Sequence, residues 1–114
     1  MIQLSQHDTI AAIATAPGNA GIGVIRISGK NITSFIQQLC GKQNLIARYA
    51  TYTSFYDEEE KVIDQGLALF FQAPHSFTGE NVLELQCHGG TIVLKRLLKR
   101  CIALGARQAL SLIH

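Results

Sequence analysis

The chain has 114 residues, 47% of them hydrophobic, which suffices for one packed core and is too few for two ordinary domains. Ten Lys and Arg against eight Asp and Glu leave a formal charge of +2, so total charge alone does not mark a nucleic-acid binder. Three cysteines, Cys40, Cys87 and Cys101, are widely and irregularly spaced, which suggests neither a disulfide framework nor a metal site and fits a reducing compartment. No stretch approaches the roughly 18 apolar residues of a membrane span, and Met1 to Asp8 lacks the basic-then-apolar order of a signal peptide. A single soluble, cytoplasmic domain over 1–114 without membrane association is the expectation.

Thr9 to Thr15 predicts a short strand, closed by the turn-forming run Ala16 to Gly21, and Gly23 to Ser28 predicts a second. In that second strand Val24, Arg26 and Ser28 share one face while Gly23, Ile25 and Ile27 share the other, so an arginine stands within an apolar strand. Asn31 is a suitable N-cap for a helix with Ile32, Phe35, Ile36 and Leu39 at i, i+3, i+4 and i+7, and Gly41 is a natural stop.

Tyr49 to Phe55 and Val62 to Phe71 read as strands joined by the acidic turn Asp57-Glu58-Glu59-Glu60. Ala73 to Glu80 has loop chemistry. Asn81 to Cys87 then alternates, with Leu83, Leu85 and Cys87 on one face and Val82, Glu84 and Gln86 on the other. Gly89-Gly90 opens a helix whose apolar stripe is Leu94, Leu97, Leu98, Cys101 and Ile102, ended by Gly105, and Ala109 to His114 offers a final short strand. Strands and helices in this mixed order predict an α+β fold, a mixed β-sheet with two or three packed helices.

Four features carry possible chemistry. The turn Pro17 to Gly23 is glycine-rich but has no G-x-x-x-x-G-K-[ST] pattern and runs into a strand, so a tight strand connection is favoured over a phosphate loop. Cys87 precedes His88 and a helix start, which would suit an acidified nucleophile, yet its alternation with Leu83 and Leu85 favours a buried, inert thiol. Lys95, Arg96, Lys99 and Arg100 place four cations on one helix with no acid among them: a contact for nucleic-acid phosphate or a partner, or, as preferred here, a solvated face. Arg26 and Glu84 are ionisable groups inside apolar strands, where an unpaired charge is expensive. Either they pair with each other, or they meet a ligand whose edge carries adjacent N–H donors, as a pterin or guanine does.

Three ordered segments then resemble the N-terminal domain of the tRNA-modification GTPase family, which acts on the wobble uridine of certain tRNAs. They are Asp8 to Thr15 continuing through Gly21 to Gly29, Ile63 to Leu69, and Ser76 to Gln86, followed by His88-Gly89-Gly90 and the basic helix. The resemblance spans about 8–109 and implies a fold similar to the folate-binding domain of aminomethyltransferases. It also implies a bound reduced folate (5-formyl- or 5,10-methylene-tetrahydrofolate), a homodimer, folate contacts at Arg26 and Glu84, and no catalytic residue within the chain itself. GTP, magnesium and potassium, a flavin-dependent partner and tRNA belong, in the family, to the full-length protein. Residues 110–114 depart from the family's continuation, so a truncated or altered end is expected, with any folate contact from farther along missing. Asn19 and Cys87 also replace residues usual in the family. A small folate-dependent one-carbon transferase and a basic-helix nucleic-acid module are the alternative readings.

Overall fold

β-Branched and long aliphatic residues at alternate positions make two central strands that each present a continuous apolar face. In the computed structural model, which describes residues 9–14, 22–76, 78–88 and 90–109, these are β2 (Gly23–Gly29) and β5 (Asn81–Cys87), paired antiparallel along their whole length. Around them stand β1 (Ile10–Ile13), β3 (Thr51–Tyr56), β4 (Val62–Phe71) and β6 (Arg107–Gln108), in the order β3-β4-β5-β2-β1-β6. Every neighbouring pair is antiparallel except β1 with β6, so the sheet is mixed. Among the described residues two helices, α1 (Thr33–Cys40) and α2 (Gly90–Ala103), join the sheet in an α+β fold.

Both helices pack on one face of the sheet. Ile25, Ile27, Leu83, Leu85 and Cys87 form a buried cluster with Phe35 and Leu39 of α1 and with Leu94, Leu97 and Cys101 of α2. Because side chains alternate, Arg26, Glu84 and their same-face neighbours lie on the other side of the sheet, away from the helices. The glycine-rich connection at 15–21 and residues 110–114 of the expected last strand lie outside the described residues, while the described chain places a short strand, β6, just ahead of Ala109.

The structure corrects two local expectations. Asn31 does not cap α1: the cap position is Ile32, without a side-chain cap bond, and its carbonyl accepts the N–H groups of Phe35 and Ile36. Ile32 is only 2% exposed, so burial of an apolar side chain rather than capping chemistry sets the start of the helix. Ile102 does not join the buried stripe of α2; it is 42% exposed, because one further residue turns the chain about 100° away from Cys101. The glycine stops are as expected. Gly41 takes a left-handed φ of 66° and its N–H donates to the Gln37 carbonyl. After α2, the N–H of Gly105 donates to Ile102 and that of Ala106 to Cys101, the paired bonds of a Schellman closure.

Gly66 in β4 matters through close approach. A Cβ there would sit 1.8 Å from the Gln86 carbonyl oxygen and 3.3 Å from the Phe55 ring. Gly66→Ala is therefore expected to force β4 away from β5 and lower stability by about 3 kcal/mol. A urea midpoint equal to that of the parent chain would contradict this packing.

Candidate functional site

The register of β2 and β5 puts Arg26 directly opposite Glu84 in the middle of the sheet. Ala12 of β1 is the next partner of Arg26, and Leu69 of β4 is the next partner of Glu84. One row across four strands thus reads Ala12, Arg26, Glu84, Leu69, with the charges at its centre and apolar side chains at both ends. The rows on either side begin the surround: Val24 opposite Gln86 opposite Leu67, and Ser28 opposite Val82 opposite Phe71.

Arg26 Nε donates to Glu84 Oε1 at 2.9 Å, with side-chain exposures of 17% and 9%. The second carboxylate oxygen is also engaged, since Gln86 Nε2 donates to Glu84 Oε2 at 2.9 Å. Each oxygen of an ionised carboxylate carries two lone pairs, so two such bonds leave acceptor capacity in hand. Removing one member would leave the other charge largely buried without its counter-charge, at a cost of about 3 kcal/mol.

A hydrogen-bonded loop borders the site beside Ser28. The hydroxyls of Ser28 and Thr78 are 2.7 Å apart and share one hydrogen bond. Thr78 lies in the segment between β4 and β5, which is tied down by several side chains. Asn81 accepts from the Ala73 N–H and donates to the Lys30 carbonyl, while the Ser76 hydroxyl donates to the Glu80 carbonyl and accepts from the Gly79 N–H. Ser28, Thr78 and Gln86 were not singled out in the sequence. Local signals existed for Gln86 and Ser28, two residues from Glu84 and Arg26 respectively and so on the same face, and not for Thr78.

The other candidates fall elsewhere. Cys87 is fully buried in the helix-side core, and its thiol is pushed up to about 12 by desolvation and by the charge of Asp64. Cys40 and Cys101 are likewise raised to about 12 by burial. His88 lies at the sheet margin, its N–H donating to Asp64 at 2.7 Å and its Nδ1 lying 2.9 Å from the Gln65 carbonyl. A thiol held neutral in the core is no nucleophile at ordinary pH.

The basic group on α2 divides. Lys95, Arg96 and Lys99 are exposed, whereas Arg100 is partly buried and its Nε has no hydrogen-bond partner. The acids missing from the helix itself arrive from the β3–β4 turn: Arg96 Nη2 is 3.8 Å from Asp57 Oδ2. A cleft of about 430 Å³ is lined by Tyr56, Asp57, Glu58, Glu60 and Arg100 among others, and a second of about 240 Å³ by Asp57, Glu58, Arg96 and Lys99 with Arg100.

Residues 9–111 match the family described as the GTP-binding protein TrmE N-terminus. The chain belongs to the TrmE N-terminal family. Among curated proteins, it is 61% identical over 101 residues to the tRNA modification GTPase MnmE of Neisseria meningitidis, and 57% identical over 101 residues to that of Chromobacterium violaceum. Each match covers 89% of this chain and 22% of the relative. The MnmE of Xylella fastidiosa is 62% identical over 102 residues, covering 90% of the chain and again 22% of the relative. The chain therefore spans about a fifth of the length of these relatives, 22% in each case. The matched TrmE N-terminal stretch takes in every described strand and both described helices, including Arg26, Glu84, Gln86 and Thr78.

The three buried thiols give a pH dependence whose sign follows from the raised values. A thiol that ionises near 9 when unfolded and near 12 when folded binds its proton more tightly in the native state. Its contribution to stability is intact below pH 9 and is lost as pH rises from 9 towards 12. Iodoacetamide at pH 8 should consequently label the native chain very slowly and the urea-unfolded chain at all three cysteines. Rapid labelling of native Cys87 would revive the nucleophile reading.

Proposed function

We propose that this chain is the reduced-folate-binding and self-associating portion of a tRNA-modification GTPase, and that it binds rather than catalyses. The observation that carries the reading is the Arg26–Glu84 pair, two charges facing each other at the centre of the sheet face opposite the two described helices. A pterin offers a 2-amino group and adjacent ring N–H, donors that suit the remaining lone pairs of the Glu84 carboxylate. Arg26 supplies a fixed cationic donor for the ring carbonyl or the anionic tail, and the partly exposed Val24, Leu67 and Leu69 supply apolar area for the ring. Gln86 and Arg26 hold the carboxylate from two sides and so orient it before a ligand arrives.

The family supports the wider setting. A GTPase portion using GTP, magnesium and potassium, and a flavin-dependent partner, would act with the folate's one-carbon unit on the wobble uridine of tRNA. Homodimerisation fits a sheet that ends on β3, with Tyr52 63% and Val62 51% exposed near that edge. Working within the cytoplasm follows from tRNA as the substrate.

Isothermal titration of 5-formyl-tetrahydrofolate, with light scattering for oligomeric state, tests the proposal. Glu84→Gln keeps the shape and removes the charge, and should weaken binding by about 2 kcal/mol, or roughly 30-fold. Arg26→Ala should weaken it at least as much. Undiminished binding in both variants, or no binding by a folded parent chain, would overturn the reading.

A further inference from the structure

The outward face of α2 has a composition that neither the core nor the folate proposal uses. At 100° per residue, Ile92, Lys95, Arg96 and Lys99 fall away from the buried Leu94, Leu97, Leu98 and Cys101, with Ile102 at the margin between the two. Lys95 and Lys99 stand one turn apart, about 6 Å along the axis, and Arg96 lies beside them. No acid lies on the helix. Ile92 and Ile102, 75% and 42% exposed, sit about 15 Å apart at the two ends of this face, so they form no apolar seam of the kind a partner helix would need. What lies between them is cationic.

Acidic groups approach this face from the β3–β4 turn. Asp57 Oδ1 accepts the N–H groups of Glu59 and Lys61, and those bonds lead the causes that hold its carboxyl below the usual range. Asp57 Oδ2 meets Arg96 at 3.8 Å, and Asp57 and Glu58 share the 240 Å³ cleft with Arg96, Lys99 and Arg100. The turn thus brings fixed anions to one end of a row of cations.

We infer that the outward face of α2 is a docking surface for the phosphates of a folded RNA, with the Asp57–Glu60 turn acting as a built-in competing anion that limits its affinity. The charge complementarity carries this: exposed Lys95, Arg96 and Lys99 suit a regular array of phosphates, and the face has no aromatic side chain for stacking bases. Contacts of this kind position an RNA without reading its sequence. The inference rests on the proposed function only in the choice of tRNA as probe. Competition by the turn follows from geometry, since a phosphate at Arg96 must displace or repel the Asp57 carboxylate.

Fluorescence anisotropy of labelled tRNA, across about 50 to 200 mM KCl, tests it. The parent chain should bind at low salt and release as salt rises. The double variant Lys95→Ala, Lys99→Ala should bind at least about tenfold more weakly, with the slope of log K against log salt reduced by about 2. The triple variant Glu58→Gln, Glu59→Gln, Glu60→Gln should bind about threefold or more tightly, an effect that mere loss of structure could not produce. Titration of 5-formyl-tetrahydrofolate into the same samples separates the two proposals: RNA binding lost with folate binding kept confirms the assignment of Lys95 and Lys99. No tRNA binding by the parent at low salt would overturn the inference, as would unchanged binding in the lysine variant. So would competition by polyglutamate as effective as that by unlabelled tRNA.

Discussion

The register between β2 and β5 is the constraint on which the rest depends. With Ile25 opposite Leu85 and Ile27 opposite Leu83, the apolar side chains of both strands meet the helices. The same register leaves Arg26 opposite Glu84 on the far side. A slip of β2 by one residue against β5 would carry Ile25 and Ile27 out of the core and put Arg26 into it, and a slip of β5 would do the same with Leu83, Leu85 and Glu84. Burial of the aliphatic set, at about 1.5–3 kcal/mol per side chain, therefore fixes the charged pair without the pair having to earn its own position. That is how a site can contain an ion pair whose net contribution to stability is small. Gly66 extends the same logic to β4, whose backbone approaches β5 closely enough to set Leu69 beside Glu84.

Period-two and period-3.6 patterns made most of this legible in the sequence. The alternation in Gly23 to Ser28 and Asn81 to Cys87 separated Arg26 and Glu84 from the core residues, and the spacing of Leu94, Leu97, Leu98 and Cys101 defined the buried face of α2. What those patterns cannot carry is information about distant pairing. Ser28 meets Thr78 across 50 positions and Arg26 meets Glu84 across 58, so the sequence isolated the two charges while leaving their partnership open. Arg96 is paired with Asp57 of the β3–β4 turn, which makes a helix that reads as purely basic only partly so in three dimensions. The start of α1 departs from the sequence pattern for a different reason: Asn31 has the right chemistry for a cap, but burying Ile32 outweighs it.

The two sides of the sheet divide the chemistry. The helix side is closed, holds all three cysteines as neutral thiols, and leaves none of them poised to react. The other side keeps the charged pair, the Gln86 amide and the Ser28–Thr78 hydroxyls within a few residues of one another. The chain belongs to the TrmE N-terminal family and spans 22% of the length of its MnmE relative from Chromobacterium violaceum. The cations of α2 lie on the helix side, away from the charged pair, so the two proposed sites can be tested independently.

The most direct test of the central claim asks whether Arg26 and Glu84 are there for a ligand or for the fold. The double variant Arg26→Met, Glu84→Leu replaces the pair with apolar side chains, and its melting temperature is measured with and without 5-formyl-tetrahydrofolate. A recognition pair predicts a stability within about 1 kcal/mol of the parent chain. It also predicts that the ligand raises the melting temperature of the parent but not of the variant. A variant that loses several kcal/mol, or that the folate stabilises as much as the parent, would contradict it.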